Sequence, residues 1–312
     1  GYAVTDPENG MVTVIGYIEY VAQVGDVKYE TLEEAIAAAQ NGDTVVIMPG
    51  EYGAINISNK NITIAGTVGA NGELLTTIKG GNPAITGHGF NGTIKDLKIV
   101  DAFKVMYAEP AGNVTVDNVY VTGATYGFHL IAYSTGLTWT IQNSYMDLSW
   151  ANSFGVYGGG DAAIVIKGNE FVSTNPYYPA YGALPVNTFL PNVTVTGNVF
   201  GENAKIYIDG SITDTSKINI SKNYHADGVE NAFADDADGV KVDIDSYYAD
   251  KELTNLVQNR TYVAEVNGTK YESIQDAIIA AAPAGTVELL CDVTVEKWIM
   301  ISETLSIGNG TV

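Results

Sequence analysis

Aromatic residues that could stack on sugar rings are concentrated in residues 173–191, "STNPYYPAYGALPVNTFLP". Four prolines stiffen this stretch, and a flat tyrosine ring with Asn and Asp donors beside it is a surface on which a sugar can pack. The residues that we predict to contact a glycan or a protein surface are Tyr177, Tyr178, Tyr181, Tyr126, His129, Tyr157 and Asp161. The alternative is that this loop packs its aromatic side chains onto the body of the protein as a side cover.

A run of carboxylates follows at residues 235–245, "DDADGVKVDID". Calcium prefers carboxylate and carbonyl oxygens supplied by a short loop, so Asp235, Asp236 and Asp238 are a candidate calcium site. Ala234 stands where the first ligand of an EF-hand loop should be. The alternative is a solvated acidic loop that binds no metal.

Other residue types that carry chemistry are few and scattered. None of the three histidines has a second histidine at the spacing of metal ligands. Cys291 is the only cysteine, and its neighbours "VELLCDVTV" predict a buried strand thiol. We therefore predict no cofactor other than calcium and assign no catalytic residue.

The charge of the chain excludes two classes of partner. A formal charge of −21 repels nucleic acids and anionic bilayers, which bind through Lys and Arg clusters. In addition, no run of about 18 apolar residues that could span a membrane occurs. From the charge we predict no nucleic-acid binding, and from the missing apolar run no membrane insertion. The 34 glycines and the abundant Val, Ile, Thr and Asn favour short strands and turns.

The elements that must position these residues repeat from about residue 55 to residue 226. Each repeat is a short Val/Ile/Thr strand, a polar corner and a second strand, as in "VTVDNVYV" and "VTVTGNVF". The corner residues, 22 to 29 positions apart, are Asp96, Asn118, Asn143, Asn169, Asn198 and Asn223. This period indicates a solenoid, and the leucine frame of leucine-rich repeats is missing. A parallel β-helix fits, because corner asparagines tolerate left-handed backbone and can bond the asparagine of the next coil.

A short helix precedes the repeats. Leu32, Ala35, Ile36 and Ala39 form one apolar stripe. Thr31 with a glutamate three residues later has the form of a capping box, so the pattern predicts a helix over residues 31–40. The strand "TVVIM" and a Pro-Gly turn follow it. We expect this helix to cover the open end of the solenoid, where backbone groups would otherwise be unpaired.

The stretch "TLEEAIAAAQNGDTVVIMPGEY" resembles the opening segment of the pectate-lyase-like right-handed β-helix superfamily. There an amphipathic helix, a GDT turn, an apolar strand and a P-G-x-Y corner lead into the first coils. The resemblance covers about residues 21–226, and residues 224–256 resemble the closing segment of such β-helices in large bacterial surface proteins. It implies an all-β solenoid, a right-handed parallel β-helix with a short N-terminal capping α-helix and a small C-terminal α/β module.

The same superfamily contains polysaccharide-active enzymes, whose sites this chain does not match. Lyases of this type need an acidic cluster for calcium and an Arg or Lys as the base. Arg260 is the only arginine and lies beyond the repeats, which leaves Lys167, Lys205 or Lys222. Polygalacturonase-like hydrolases need several aspartates at set spacing before a Gly-His-Gly segment, and no such acidic constellation precedes "TGHGF" at His88. A polysaccharide lyase or a glycoside hydrolase is thus the alternative to a non-catalytic protein.

Residues 263–290 repeat residues 21–48 at a constant offset of 242. Val263, Tyr271 and Ile278, for example, match Val21, Tyr29 and Ile36. The predicted segments are a lead-in strand or tail at 1–20, a capping helix and first strand at 21–52, coils at 53–226, an acidic closing segment and linker at 227–262, and a second, truncated opening module or C-terminal cap at 263–312.

These observations together predict a non-catalytic segment of a surface protein. The β-helix would be a stalk with an aromatic face for adhesion or for binding host or microbial glycans or surface proteins. We expect an extracellular or cell-surface location in a bacterium, as a fragment of a larger secreted protein that is monomeric by itself.

Overall fold

The computed structural model describes residues 2–4, 14–17, 19–109, 111–130, 136–148, 163–173, 184–186, 192–208, 215–233, 242, 244–283, 285–293 and 306–308. The chain forms two compact units, Gly1–Leu256 and Val257–Val312.

Short strands dominate the first unit. Its first half contains β1 (Tyr2–Val4), β2 (Val14–Tyr17), β3 (Ala22–Val24), β4 (Val27–Tyr29), α1 (Leu32–Ala38), β5 (Thr44–Ile47), β6 (Gly50–Tyr52), β7 (Ile55–Asn56), β8 (Asn61–Ala65), β9 (Thr76–Lys79), β10 (Ile85–Thr86), β11 (Asn91–Val100) and β12 (Lys104–Ala108). There follow β13 (Val114–Ala124), β14 (Tyr126–Leu130), β15 (Thr138–Gln142), β16 (Tyr145–Leu148), β17 (Ala163–Lys167), β18 (Glu170–Val172), β19 (Leu184–Val186), β20 (Asn192–Thr196), β21 (Val199–Phe200), β22 (Ile206–Ile208), β23 (Ile218–Ser221), β24 (Asn223–His225), a 3-10 helix (Val229–Asn231), β25 (Ser246–Tyr248) and β26 (Leu256–Gln258), which crosses the boundary.

The second unit is smaller. It contains β27 (Ala264–Val266), β28 (Thr269–Tyr271), α2 (Ile274–Ala281), β29 (Thr286–Leu289) and β30 (Ser306–Gly308). Among the residues described, α1 and α2 are the only α-helices. Cys291 is exposed, so the prediction of a buried thiol is wrong. The strand β29 ends at Leu289, two residues before the cysteine.

The first unit is a parallel β-solenoid of about six coils. One sheet stacks β5, β8, β11, β13, β15, β17, β20 and β23. A second sheet stacks β6, β9, the later parts of β11 and β13, β16, β18, β21, β24 and β25. A third sheet contains β7, β10, β12 and β14, and a separate parallel pair joins β19 to β22.

The core consists of columns of apolar side chains that the parallel register aligns. One column, in which no side chain is more than 1% exposed, runs through Val45, Ile64, Ile94, Val116, Ile141, Ile166, Val195 and Ile220. Full burial of a Val or Ile side chain contributes about 1.5–3 kcal/mol. The alternating sequence pattern of each strand thus becomes a continuous core only when the coils are stacked.

The corner residues occupy two neighbouring positions of the repeat rather than one. The register aligns Asp96, Asn118 and Asn143 with Gly168, Gly197 and Lys222, and all six have positive φ. The next position of each later coil holds a buried asparagine, in line with Ser144: Asn169, Asn198 and Asn223. The prediction of a single corner register is therefore wrong by one residue after the third coil. There glycine or lysine takes the left-handed position, and the asparagine lies inside.

These buried asparagines form a hydrogen-bonded ladder between coils. Oδ1 of Asn198 accepts from both N and Nδ2 of Asn169 at 3.0 Å. Nδ2 of Asn198 donates to O of Ile166 at 2.9 Å and to Oδ1 of Asn223 at 3.0 Å. The predicted bonding of corner asparagines from coil to coil is confirmed.

A column of aromatic rings ends on a histidine. Phe171 and Phe200 stack with centroids 5.0 Å apart, and Phe200 and His225 stack at the same distance with an interplanar angle of 4°. His225 is 7% exposed, and neither of its ring nitrogens has a hydrogen-bond partner among the described residues. Burial lowers the pKa of His225 to about 4, against an opposing effect of Asp227. The imidazole is therefore neutral at pH 7.

Helix α1 belongs to the same core. Its N-cap Thr31 accepts through Oγ1 from the N–H of Glu34 at 3.2 Å, as the capping box predicts. Leu32, Ala35 and Ile36 are buried in the solenoid cluster. At the other end of the helix, Nζ of Lys60 donates to the carbonyls of residues 37 and 39 at 3.0 and 3.1 Å.

Candidate functional site

The third sheet presents a group of half-exposed polar and aromatic side chains. Its register aligns Lys104 with Tyr126, and Tyr107 with both Thr86 and His129. The residues between them, Met106 and Phe128, are buried in the core. We name the group of Phe103, Lys104, Tyr107, Tyr126 and His129, with His88 and Glu109 at its border, the aromatic face.

Ring contacts fix the members of the aromatic face relative to one another. Phe103 lies edge-on to Tyr126 with centroids 5.3 Å apart. Tyr107 contacts His129 at 5.2 Å and, edge-on, His88 at 5.2 Å. Such pairs contribute about 0.5–1.5 kcal/mol beyond the area they bury. Tyr107, Tyr126 and His129 are therefore held on paired strands, whereas Phe103 and His88 contact them from the bend before β12 and the turn after β10.

The electrostatics of this face differ from those of the whole chain. Nζ of Lys104 lies 5.0 Å from the centroid of the Tyr107 ring, in cation–π geometry. Burial and, second, the nearby Lys104 hold the pKa of His129 below its usual value. Nδ1 of His88 lies 3.5 Å from Oε2 of Glu109. Two of the three histidines and a lysine thus share one face of a chain whose formal charge is −21.

A groove adjoins the aromatic face. It has a volume of about 540 Å³ and lies between α1 and the first coil. Its lining includes Asn56 and Thr86, which belong to the same strand row as Tyr107 and His129. Amide and hydroxyl groups of the groove are therefore continuous with the aromatic rings, an arrangement that suits a ligand with both hydroxyl groups and flat apolar faces.

Only part of the predicted contact set lies in the described residues. The structure brings Tyr126 and His129 together on β14. The other predicted residues, Tyr177, Tyr178, Tyr181, Tyr157 and Asp161, lie outside the described residues. Asp235, Asp236 and Asp238 lie outside them too, so the calcium site stays a prediction. Within the described ranges no group of three or more His, Cys, Asp or Glu could hold a metal ion.

Sequence reasoning missed Phe103, Lys104 and Tyr107. A signal for them exists, because Tyr107 precedes His129 by 22 positions, the same spacing that separates Asp96 from Asn118. Applying the corner period to the non-corner residues would have placed Tyr107 beside His129.

None of the described helices has the length and apolar character needed to cross a bilayer. Comparison of the chain with known protein families, with curated proteins and with solved structures finds no match. The parallel solenoid is consistent with a β-helix fold.

Proposed function

We propose that this chain is a non-catalytic segment of an extracellular bacterial surface protein. In this proposal the solenoid is a right-handed β-helix of the pectate-lyase-like superfamily, covered at its start by α1. It acts as a stalk, and the aromatic face binds glycans of a host or of other microbes. The observation that carries the proposal is the clustering of Phe103, Tyr107 and Tyr126 around Lys104, with Tyr107 and Tyr126 on paired strands and Phe103 directly before β12.

Sugar binding suits the chemistry of this face. Sugar rings carry flat C–H faces that pack on aromatic rings and hydroxyl groups that bond to amides and hydroxyls. Phe103 is 50% exposed, so its ring is accessible to a ligand. The groove that adjoins the Tyr107 side of the aromatic face supplies Asn56, Ser58 and Asn59 as polar partners.

The stalk role is supported by the stacking of the coils. Each coil pairs only with its neighbours through backbone hydrogen bonds, as in β15, β17, β20 and β23. The buried asparagine ladder adds side-chain bonds in the same direction. Such quasi-one-dimensional stacking suits a stalk, because each added coil extends the solenoid along one axis.

A glycan array with matched variants tests the binding proposal. We expect the intact chain to bind at least one glycan, and Phe103→Ala and Tyr107→Ala to weaken that binding by about tenfold, the loss of one ring contact. Tyr120→Ala is the control, because Tyr120 is a 39% exposed tyrosine that stacks on Tyr145 in another sheet. The absence of any bound glycan, or an equal loss in Tyr120→Ala, would contradict the proposal.

The competing function is a polysaccharide lyase or glycoside hydrolase. The observation in its favour is that His88, Glu109 and His129 bring titratable groups to one face around Tyr107. Release of unsaturated or reducing ends from a panel of polysaccharides would establish this function. Loss of that release in His129→Gln would then assign the face as its site.

The calcium candidate has a separate test. If Asp235, Asp236 and Asp238 hold calcium, EGTA should lower the melting temperature, and Asp236→Asn should abolish the effect of EGTA. An unchanged melting temperature in EGTA would leave the solvated acidic loop as the correct interpretation.

A further inference from the structure

The opening module is folded twice with the same register. In the first copy β3 and β4 form an antiparallel hairpin in which Ala22 pairs with Tyr29. In the second, β27 and β28 form the same hairpin, in which Ala264 pairs with Tyr271, 242 residues further on. The third strand of each module, β5 or β29, also pairs in the same register. Ala22 of β3 lies opposite Ile47 of β5, and Ala264 of β27 lies opposite Leu289 of β29. The sequence repeat is therefore also a repeat of hydrogen bonding.

The helices of the two modules agree in the same detail. Thr31 and Ser273 both cap their helix through the side chain, which accepts from the N–H three residues later. Matching positions are buried in each module: Ala22 and Ala264, Leu32 and Ile274, Ala35 and Ala277, Ile36 and Ile278, Val45 and Val287, Ile47 and Leu289. The second module thus has the core of a solenoid start.

A parallel strand pair extends the likeness beyond the module. In the first copy β5 pairs in parallel with β8, with Val45 opposite Ile64, and this pair is the first rung of the solenoid. In the second copy β29 pairs in parallel with β30, with Val287 opposite Ile307. The other edge of β8 is occupied by β11 in the first copy. By equivalence, the second edge of β30 is where the next coil of a solenoid would pair.

A reversal of the chain precedes both modules. In the first unit β25 is the last parallel strand of the second sheet, where it pairs with β24. The chain then reverses, with N of Ala249 donating to O of Asn255 at 2.9 Å, and continues through β26 into β27. Before the first module β1 and β2 form an antiparallel hairpin that leads into β3. The sequences "YAVTDPE" at 2–8 and "YYADKE" at 247–252 both contain Tyr, Ala, Asp and Glu in this order.

We infer that the chain contains two copies of one junction between successive solenoids. β1 is the last rung of a preceding solenoid, as β25 is of this one, and β30 is the first rung of a following solenoid, as β8 is of this one. β1 therefore offers an edge for a parallel strand that corresponds to β24, which pairs with β25. In the same way, β30 offers an edge for a parallel strand that corresponds to β11, which pairs with β8. The repeat of about 242 residues is the length of one solenoid with its junction. This inference does not depend on glycan binding.

An extended chain tests the edge of β30. The extended chain carries a second copy of residues 69–312 after Val312. The join lies there because "GTV" at the end of the chain matches "GTV" at 66–68, which residue 69 follows. The added coils can thus continue from β30. Hydrogen exchange of the Ser306–Gly308 amides is compared in the original and the extended chain. We expect exchange at least about tenfold slower in the extended chain, because a new parallel strand would bond these groups.

Two further chains make the result decisive. In the first, the same coils are joined directly after Leu256, without the second module, and we expect them to lack protection. In the second, Ile307→Asp in the extended chain should restore fast exchange at β30, because the equivalent Ile64 is fully buried. Unchanged exchange at residues 306–308 overturns the inference, and so does failure of the added coils to become protected, since the second module is then a cap.

Discussion

Asn198 gives the sharpest test of what holds the coils together. Its side chain is fully buried and bonds to Asn169, Ile166 and Asn223. In Asn198→Ala the N–H of Asn169 loses its acceptor, which costs about 1–3 kcal/mol for a buried group, and each other lost hydrogen bond contributes about 1 kcal/mol. Because such contributions are not additive within a network, we expect a total loss of about 4 kcal/mol in the free energy of unfolding.

The matched control is Asn118→Gly. Asn118 also bonds across coils, with Nδ2 donating to Oδ1 of Asp96 at 2.8 Å, but this bond is exposed to solvent. Glycine keeps the left-handed backbone that φ of 52° requires at this position. We expect a loss of about 1 kcal/mol or less there. Urea unfolding followed by circular dichroism measures both variants. A loss below about 1.5 kcal/mol in Asn198→Ala, or equal losses in the two variants, would refute the reasoning.

Three further predictions concern other features of the solenoid and the second module. Between pH 6.5 and about 4, His225 is protonated in the unfolded chain but stays neutral in the folded protein, because it is buried. The free energy of unfolding should therefore fall by roughly 3 kcal/mol as the pH drops through this window, and His225→Phe should remove this dependence. Gly92→Ala should cost more than about 2 kcal/mol, because at its φ of 140° the new Cβ would collide with the carbonyl of Ile62. Thr31→Ala and Ser273→Ala should each cost about 1 kcal/mol, the usual value of an N-cap.

These measurements have clear contrary outcomes. An equal pH dependence of the urea midpoint in the wild type and in His225→Phe would show that folding does not lower the pKa of His225. A stable Gly92→Ala protein by thermal melting would show that the two coils can separate at this point. For the N-caps, hydrogen exchange is compared between the helix with the substitution and the other helix of the same protein. Unchanged exchange in the helix with the substitution would contradict the prediction.

Much of the fold could be predicted from the sequence, because the determining interactions are local or periodic. The cap at Thr31, the apolar stripe of α1 and the strand after it depend on residues within a few positions of one another. The period of the corners predicts stacked coils, because identical spacing brings identical residue types into register. The offset of 242 residues likewise predicts a second module with the same hairpin and helix.

The site was predicted only in part, since its members come from different coils. Tyr126 and His129 were identified as aromatic and polar residues near a turn, but their partners Phe103, Lys104 and Tyr107 lie one coil earlier. Contact between coils depends on the register of each sheet. The corner spacing of 22 positions holds for Tyr107 and His129, but the step from Thr86 to Tyr107 is 21 positions.

The sequence by itself determined that the chain is a solenoid that begins with a capped helix and that the same beginning occurs twice, because periodicity and N-caps are properties of consecutive residues. The tertiary structure alone decided on which side of each corner an asparagine lies. Asp96, Asn118 and Asn143 hold the left-handed position, whereas Asn198 lies one residue later and is buried. The physical reason is that a buried amide is stable only where other coils supply both donors and acceptors, and those partners are about 25 to 32 residues away.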